Sequence, residues 1–320
     1  MPNAPLKVLL RSITFEAERI NSYTLQALDG ERLPAFTAGA HIDIHLTPDR
    51  VRSYSLTNDP AERHRYVIAV KHEVDGRGGS AHVHSRLKVG DTLSISAPRN
   101  NFIYDEGEHA SVFVAGGIGI TPILSMLRHA TAIGRRWRLH YASRTRRDAA
   151  FLAEIEALTA ASGSETNIVF DQEAGGAALD IAAIVARASA NTHLYCCGPL
   201  PMLEAFRAAT RSRPPQTVHL EYFSPVQEAA TAGGFEVRLA KSGRTVAVAP
   251  GKTILDALLD AGFPVSYACG EGTCGTCETR VIEGVPDHRD VYLTDEEHAA
   301  NQQIMICCSG AKTPLLVLDL

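Results

Sequence analysis

The pattern of hydrophobic and polar positions changes character twice along the chain. Residues 1–104 contain short strand-like runs separated by turn residues, among them HIDIHL, VRSYSL, RYVIAV and DTLSIS. Apolar and polar residues that alternate over such short runs are typical of strands with one buried face. Several strands at this close spacing predict a small antiparallel β-barrel.

From Ser111 onward, strand-like and helix-like segments follow one another in pairs. The four pairs are SVFVA with TPILSMLRHATAIG, WRLHYAS with DAAFLAEIEALTA, TNIVF with LDIAAIVARAS, and HLYCC with PMLEAFRAATR. Repeated strand–helix units predict a parallel, doubly wound sheet, which we expect over residues 105–226. In such sheets, ligands bind at the carboxyl ends of the strands.

A third region is separated by the polar, glycine-ended segment VQEAATAGG at 226–234, which predicts a linker. We expect a separate domain over residues 234–320. FEVRLA and RTVAVAP predict a hairpin, TILDALLDAG predicts an amphipathic helix ending at Gly262, and PLLVLDL predicts a final strand.

Length and charge exclude several classes of protein. A chain of 320 residues with 45% hydrophobic residues is too long for one hydrophobic core. The 31 basic and 36 acidic residues give a net charge of −5, which argues against a nucleic-acid partner. No apolar run approaches the roughly 20 residues of a membrane span, and MPNAPLKVLLRS lacks the layout of a signal peptide. We therefore expect a cytoplasmic protein without a membrane partner, and a monomer.

Cysteines supply the strongest chemical signal. All seven lie at or beyond Cys196, and the spacing Cys269-x4-Cys274-x2-Cys277, with Cys307 further on, matches plant-type [2Fe–2S] ligation. A zinc site is the alternative, but its ligands usually come as two short pairs. Cys308 competes with Cys307, and adjacent side chains on an extended strand point to opposite faces, so only one of them can ligate.

Two motifs in the first region have the groups that a flavin needs. Arg52, Tyr54, Ser55 and Leu56 belong to RSYSLTN, which offers a guanidinium, an aromatic plane and hydroxyls on one strand. The turn GRGGS at 76–80, with Arg77, Gly78, Gly79 and Ser80, precedes AHVHSRL and predicts a helix N-terminus able to bind an anion.

A glycine-rich turn follows the first strand of the second region. Gly116, Gly117, Ile118, Gly119 and Thr121 belong to AGGIGITP, which opens a helix and lets the backbone approach a dinucleotide. Its spacing departs from G-x-G-x-x-G, so on spacing alone a plain tight turn remains an alternative. Cys197 precedes Gly-Pro at the end of the strand HLYCC.

Together these motifs resemble, over the whole length of the chain, the phthalate dioxygenase reductase type of flavin and iron–sulfur oxidoreductase. The resemblance implies a flavin-binding barrel at 1–104, an NAD-binding α/β domain at 105–226 and a plant-type ferredoxin β-grasp domain at 234–320. It also implies FMN rather than FAD, with Tyr54 stacked on the flavin, the Gly-Gly-Ser turn on its phosphate, and Val70 and Lys71 lining it through their backbone. The cluster ligands it implies are Cys269, Cys274, Cys277 and Cys307. The catalytic residues it implies are Cys197, which would lie beside the nicotinamide, Thr121, and Phe223, which would stack on the flavin.

The function implied is transfer of electrons from NADH through FMN and the [2Fe–2S] cluster to a Rieske-type terminal oxygenase. Two alternatives remain open at this stage: a stand-alone ferric or quinone reductase, and a redox sensor without turnover. NADPH is the less favoured donor, although Ser143, Arg144, Arg146 and Arg147 offer contacts for a 2′-phosphate.

The net charge also predicts a docking surface. From Gly233 onward the sequence has seven basic and twelve acidic residues, so this tail carries the whole net charge of −5. We expect the acidic residues Asp287, Asp290, Asp295, Glu296 and Glu297 either to steer a basic partner or to form a solvated helix start. The histidines at 41, 45, 64, 72, 82 and 84 show no ligand spacing.

Overall fold

The computed structural model describes residues 5–47, 50–74, 76, 78–173 and 175–320. Arg77 of the glycine-rich turn and residues 1–4 of the N-terminal segment therefore lie outside the described residues. The chain divides into two compact units, Met1–Glu221 and Tyr222–Leu320.

The first unit begins with a six-stranded antiparallel sheet in the order β4-β3-β6-β1-β2-β5. Its strands are β1 (Leu6–Ala17), β2 (Ile20–Ala27), β3 (His41–Thr47), β4 (Arg50–Ser55), β5 (Tyr66–Lys71) and β6 (Thr92–Ile95), with helix α1 (Gly79–Arg86) between the last two. A bridge between Leu56 and Ile68 joins the two edge strands and closes the sheet, which confirms the predicted barrel. Along these strands alternate residues point inward, as Val8 with Leu10 and Tyr23 with Leu25 show.

The rest of the first unit is a five-stranded parallel sheet in the order β11-β10-β7-β8-β9. Its elements are β7 (Ser111–Gly116), α2 (Ile120–Ala132), β8 (Trp137–Ser143), α3 (Leu152–Ser162), β9 (Glu165–Phe170), α4 (Ile181–Ala186), β10 (His193–Cys197), α5 (Leu200–Thr210) and β11 (Val218–Glu221). All four predicted strand–helix units are present. The central strand β7 is buried at every position, because helices cover both faces of the sheet.

The barrel and the parallel sheet share a hydrophobic core. Ile20 and Ala69 of the barrel strands pack in one cluster with Ile123 and Met126 of α2. A hydrogen bond adds to this contact, because the buried Ser125 hydroxyl donates to the Asn58 carbonyl oxygen at 3.0 Å. The two parts of the first unit are therefore joined by continuous packing.

The second unit contains a five-stranded sheet in the order β13-β12-β18-β14-β16. Its elements are β12 (Phe235–Leu239), β13 (Thr245–Val248), α6 (Ile254–Asp260), β14 (Glu278–Glu283), β15 (Pro286–Asp287), α7 (Asp295–Ala300), β16 (Gln303–Met305), β17 (Gly310–Ala311) and β18 (Leu315–Leu318). The predicted hairpin is β12–β13, the predicted helix is α6, and the final strand β18 pairs in parallel with β12.

The segment expected to be a linker is partly bound to the second unit. Residues 226–234 contain no helix or strand. However, the Ala230 amide donates to the Cys308 carbonyl oxygen at 2.7 Å, and the Thr231 carbonyl accepts from the Gly251 amide at 2.8 Å. The later half of the segment is therefore held against this unit by backbone hydrogen bonds.

The helices are short. The longest in the part of the chain that the structure describes is α2, with 13 residues. None of the described helices combines the length and the apolar character needed to cross a bilayer.

Candidate functional site

The four predicted cluster ligands lie in one region of the second unit. All are free thiols and all are buried, at 3–9% exposure. Cys269, Cys274 and Cys277 belong to the loop between α6 and β14, and the antiparallel pair Glu278–Met305 sets Cys277 and Cys307 at neighbouring strand ends. Non-local strand pairing therefore adds the distant cysteine to the local triplet.

Backbone amides already face the sulfur atoms of this loop. The Glu271 amide donates to Cys269 Sγ at 3.3 Å, and the Cys269 amide donates to Cys274 Sγ at 3.5 Å. Such bonds stabilise thiolate charge and tune the potential of an iron–sulfur cluster. Four buried thiols with amide donors fit the ligand set of a [2Fe–2S] cluster.

Two glycines of the loop are required by close packing. Gly272 has φ +72°, and a Cβ there would lie 2.5 Å from Cys308 Sγ and 2.9 Å from the Asp290 Cα. Gly275 has φ +74°, and a Cβ there would lie 2.3 Å from the Tyr292 ring. The left-handed backbone and the lack of space both exclude a side chain at these positions.

The expectation that Cys307 and Cys308 lie on an extended strand is wrong. The residues 306–308 form a turn after β16 rather than an extended strand, so their side chains do not alternate between two faces. The two thiols lie side by side and interact. Cys307 as the ligand stays a prediction that rests on the resemblance.

The expected flavin residues line the place where two barrel strands separate. In the described chain, a single bridge at Leu56 joins β4 to β5, so the strands part at Tyr54 and Val70. Tyr54 is half-buried, and burial raises the pKa of its phenol well above the usual range. The ring therefore remains neutral and offers a flat, partly exposed face.

The start of α1 lies against Arg52 of β4. Gly78 takes the left-handed conformation at φ +76° just before the helix, and a Cβ on Gly79 would lie 2.5 Å from Arg52 Nε. The Ser80 hydroxyl accepts from the Glu73 amide at 3.1 Å. Because the first turn of α1 carries no acidic residue and a guanidinium adjoins it, this cradle fits a phosphate group.

The glycine-rich turn of the parallel sheet packs against the end of β10. A Cβ on Gly119 would lie 2.2 Å from the Cys197 carbonyl oxygen, and a Cβ on Gly116 would lie 2.5 Å from Pro199 Cδ. The same turn, Gly117–Gly119, lies against strand β5 of the barrel. Thr121 is buried, and its hydroxyl donates to the Ile118 carbonyl oxygen at 2.9 Å.

Glu221 is a residue that the sequence did not single out. The parallel pairing of β10 with β11 sets it beside Cys197, whose Sγ lies 4.0 Å from Glu221 Oε2. Glu221 is half-buried, and burial raises the pKa of its carboxyl group to about 8, while burial also raises the pKa of the Cys197 thiol. The sequence signal that could have identified Glu221 is a glutamate at the end of the strand that pairs with HLYCC.

Phe223 lies just after β11 and belongs to the second unit. Its side chain is 39% exposed. The stacking and catalytic role that the resemblance implies for it stays a prediction.

The acidic stretch near α7 is not uniformly exposed. Asp290 is buried with a side-chain exposure of 0%, so its expected place on a docking surface is wrong. Glu297 forms a capping box with Thr294 at the start of α7, and Asp287 pairs with Arg289 at 2.7 Å. Glu296 is exposed and is the clearest residue for testing a docking role.

Three family models match consecutive parts of the chain. They are an oxidoreductase FAD-binding domain at residues 9–104, an oxidoreductase NAD-binding domain at residues 113–208, and a 2Fe-2S iron-sulfur cluster binding domain at residues 237–312. Together they cover the predicted site residues except Phe223, which lies between the second and third matched ranges.

Similar proteins match nearly the whole chain. The phenoxybenzoate dioxygenase subunit beta of Ectopseudomonas oleovorans is 50% identical over 99% of this chain and 98% of its own. The tetrachlorobenzoquinone reductase of Sphingobium chlorophenolicum is 46% identical over 100% of this chain and 99% of its own. The solved structure of phthalate dioxygenase reductase matches with a TM-score of 0.76 and 39% identity, over 99% of this chain and 98% of that one. This chain therefore belongs to the phthalate dioxygenase reductase family, whose flavin-, NAD- and [2Fe–2S]-binding domains make it an oxidoreductase.

Proposed function

We propose that this protein passes electrons from NADH through FMN and a [2Fe–2S] cluster to a Rieske-type terminal oxygenase. The observation that carries the proposal is the position of the turn Gly117–Gly119. It lies against strand β5, which holds Val70 and Lys71, and against the end of β10, which holds Cys197. A nucleotide at this turn and a flavin at β5 would therefore be neighbours.

A bound flavin would supply the chemistry of accepting a hydride and releasing single electrons, and the protein would position the reactants. Arg52 and the start of α1 would bind its phosphate, while Tyr54 and the backbone of β5 would hold its ring. The turn before α2 would bind the nucleotide pyrophosphate, and the close packing of Gly119 on Cys197 would position the nicotinamide. Glu221, whose pKa is raised by burial, lies beside Cys197 and accepts from its thiol.

The choice of FMN over FAD rests on the resemblance and on the charge of the phosphate cradle. FMN ends in a phosphate monoester that carries up to two negative charges. A guanidinium, a helix N-terminus and the lack of acidic residues in the first turn of α1 suit such a terminal dianion.

The choice of NADH over NADPH is supported at the carboxyl ends of β8 and β9. Asp171 lies next to Ser143, because its amide donates to the Ser143 carbonyl oxygen at 3.1 Å. An exposed carboxylate here accepts hydrogen bonds from a ribose 2′-hydroxyl and repels a 2′-phosphate.

Two of the three arginines that offered contacts for a 2′-phosphate have other partners. The Arg146 amide donates to the Glu173 carboxylate at 2.6 Å, and its guanidinium lies 5.1 Å from the centre of the Phe170 ring. Arg147 pairs with Glu18 at 3.2 Å. The third arginine, Arg144, is exposed and could still contact the 2′-phosphate of NADPH.

A second candidate function is direct reduction of a quinone. The specific observation that favours it is the 46% identity over the whole chain to a tetrachlorobenzoquinone reductase. In that case the electron acceptor is a small molecule, and no oxygenase partner is needed.

The experiment that tests the proposal starts with anaerobic mixing of the holoenzyme with NADH or NADPH. Flavin and cluster absorbance should both bleach, and they should bleach faster with NADH than with NADPH. Asp171→Asn should reduce this preference for NADH over NADPH. Product formation is then measured with a panel of purified Rieske oxygenases and, separately, with substituted quinones. If neither absorbance changes, the enzyme proposal fails, and the redox-sensor alternative gains support.

Cys307→Ser separates the two acceptors. An enzyme that serves an oxygenase through its cluster should lose oxygenase turnover and keep flavin reduction. An enzyme whose flavin reduces quinones directly should keep full quinone turnover in the same variant. Quinone turnover at rates above those with every oxygenase would favour the second function.

Domain limits of 1–104, 105–226 and 234–320 are part of the proposal. They are supported by the family-model limits at 9–104, 113–208 and 237–312. The monomeric state and the cytoplasmic location stay predictions.

A further inference from the structure

Three side chains that the electron-transfer proposal does not use converge in the second unit. His288 and Asp290 lie in the segment between β15 and α7, and His298 lies on α7. One ligand atom from each lies within 4.8 Å of those of the other two. The two imidazole rings are 4.4 Å apart between centres and inclined by 26°.

His288 is an unsatisfied residue. Its side chain is 9% exposed, and within the described part of the chain neither ring nitrogen has a hydrogen-bond partner, although both are buried. The Asn301 side chain lies beside the ring and interacts with it. Buried polar nitrogens are almost always paired in folded proteins, so this imidazole calls for a ligand.

The spacing of the ligand atoms matches the coordination shell of a small divalent cation. His298 Nε2 lies 3.1 Å from Asp290 Oδ2, and His288 Nδ1 lies 3.7 Å from Asp290 Oδ1. Metal–ligand bonds of about 2.0–2.1 Å in a tetrahedron separate the ligands by roughly 3.3 Å. One atom from each of the three residues lies within 4.8 Å of the other two, so the side chains would have to draw together around a bound ion.

A purely structural role for Asp290 explains only part of this arrangement. The Leu293 amide donates to Asp290 Oδ2 at 2.9 Å, and the Ser309 hydroxyl donates to Oδ1 at 3.4 Å. Oδ2 also bonds His298 Nε2 at 3.1 Å, so of the two carboxylate oxygens Oδ1 keeps capacity for another partner. These bonds fix the carboxylate and leave the nitrogens of His288 without a hydrogen bond in the described part of the chain.

We infer that His288, Asp290 and His298 form a zinc site with an open fourth position. Two imidazoles and one carboxylate are a common set of protein ligands for zinc. The site would connect α7 to the cysteine loop, because Asp290 packs on Gly272 and the Val291 amide donates to the Gly272 carbonyl oxygen at 3.1 Å. Bound zinc would therefore restrain the loop that carries Cys269 and Cys274.

The test is zinc binding to untagged holoenzyme, after treatment with a chelator that leaves the iron content unchanged. Zinc and iron are measured by elemental analysis after equilibrium dialysis against zinc chloride. The wild type should bind zinc without losing iron, and His288→Gln and His298→Gln should each lose one equivalent of zinc or bind it at least about tenfold more weakly. His64→Gln, at an exposed histidine of the first unit, is the matched control and should behave as the wild type.

A second group of possible ligands requires its own control. Asp105, His109 and His193 in the first unit also place ligand atoms within 4.8 Å of one another. His109→Gln should leave the equivalent that depends on His288 in place. The inference is overturned if the wild type takes up no zinc, if zinc enters only by displacing iron, or if the His288 and His298 variants bind as the wild type does.

A kinetic measurement adds a readout specific to the second unit. Zinc should slow the release of cluster iron to a coloured iron chelator in the wild type and should have no effect in His298→Gln. His298 is partly exposed on α7, so its replacement is the milder of the two changes. Equal protection by zinc in the wild type and the variant would overturn the proposed link to the cysteine loop.

Discussion

Replacement of Gly119 by alanine is the sharpest test of the contact between the glycine-rich turn and the end of β10. Gly119 has φ −61° and ψ −7°, a conformation that alanine adopts freely. If no atoms lay near the new Cβ, alanine would stabilise the folded protein, because it lowers the conformational entropy of the unfolded chain. Any loss in the variant must therefore come from steric overlap.

The overlap can be estimated from the distances. The new Cβ would lie 2.2 Å from the Cys197 carbonyl oxygen, 2.5 Å from its carbon and 2.8 Å from the Gly198 nitrogen, all of them backbone atoms. Reaching an ordinary contact of 3.4 Å requires the turn and the end of β10 to move apart by about 1.2 Å. Overpacking of this kind costs about 1–3 kcal/mol, and a displacement of about 1 Å at a reacting centre costs about 100-fold in rate.

The assay measures the rate of flavin reduction by NADH and the thermal midpoint of the holoenzyme. Gly134→Ala is the control, because Gly134 has φ +72° with no atom within 4 Å, at the opposite end of α2. Its left-handed backbone should cost about 1–2 kcal/mol of stability without any effect on hydride transfer. Wild-type kcat/KM in Gly119→Ala, or an equal loss in Gly134→Ala, would refute the reasoning.

Four further predictions concern the other sites. Because burial raises the pKa of Glu221 from 4.5 to about 8, the native state keeps a proton that the unfolded state releases. Wild-type stability should therefore fall between pH 4.5 and 8 by up to about 5 kcal/mol relative to that of Glu221→Gln. Identical pH profiles of thermal unfolding for the two proteins would contradict this. Cys307→Ser should abolish the cluster spectrum while Cys308→Ser keeps it, and the reverse result would exchange their roles. A chain ending at Val226 should keep flavin and NADH-dependent dye reduction but not reduce an oxygenase; loss of flavin would show that the boundary is wrong. If acidic residues steer docking, the second-order rate of oxygenase reduction should fall with salt, and Glu296→Gln should flatten that dependence, whereas an unchanged slope leaves only a role in solubility.

The features that could be predicted from the sequence depend on residues close together in the chain. The cysteine triplet, the glycine-rich turn before α2 and the strand–helix pairs each depend on residues close together in the chain. Periodicity and ligand spacing report such neighbourhoods directly. The fold class and most candidate site residues therefore followed from short segments and from the family resemblance.

Features that depend on distant pairing were not predictable in this way. Glu221 meets Cys197 only through the register of two parallel strands 24 residues apart. Asp290 lies in an acidic stretch that looked solvated, and His298 reaches it only because α7 packs beside it. Burial of a charged residue is decided by tertiary partners, which composition does not report.

The continuous core of the first unit limits how its parts can be recombined. Ile20 and Ala69 of the barrel pack in the same cluster as Ile123 of α2, and a Cβ on Gly39 of the barrel part would lie 2.7 Å from Met126 Cε of α2. A chimera that exchanged the barrel alone would have to rebuild this shared surface, whereas an exchange made at residues 221–222 follows the division between the compact units. In gene fusions and engineered chimeras with this architecture, the barrel and the parallel sheet should therefore be transferred together as one unit.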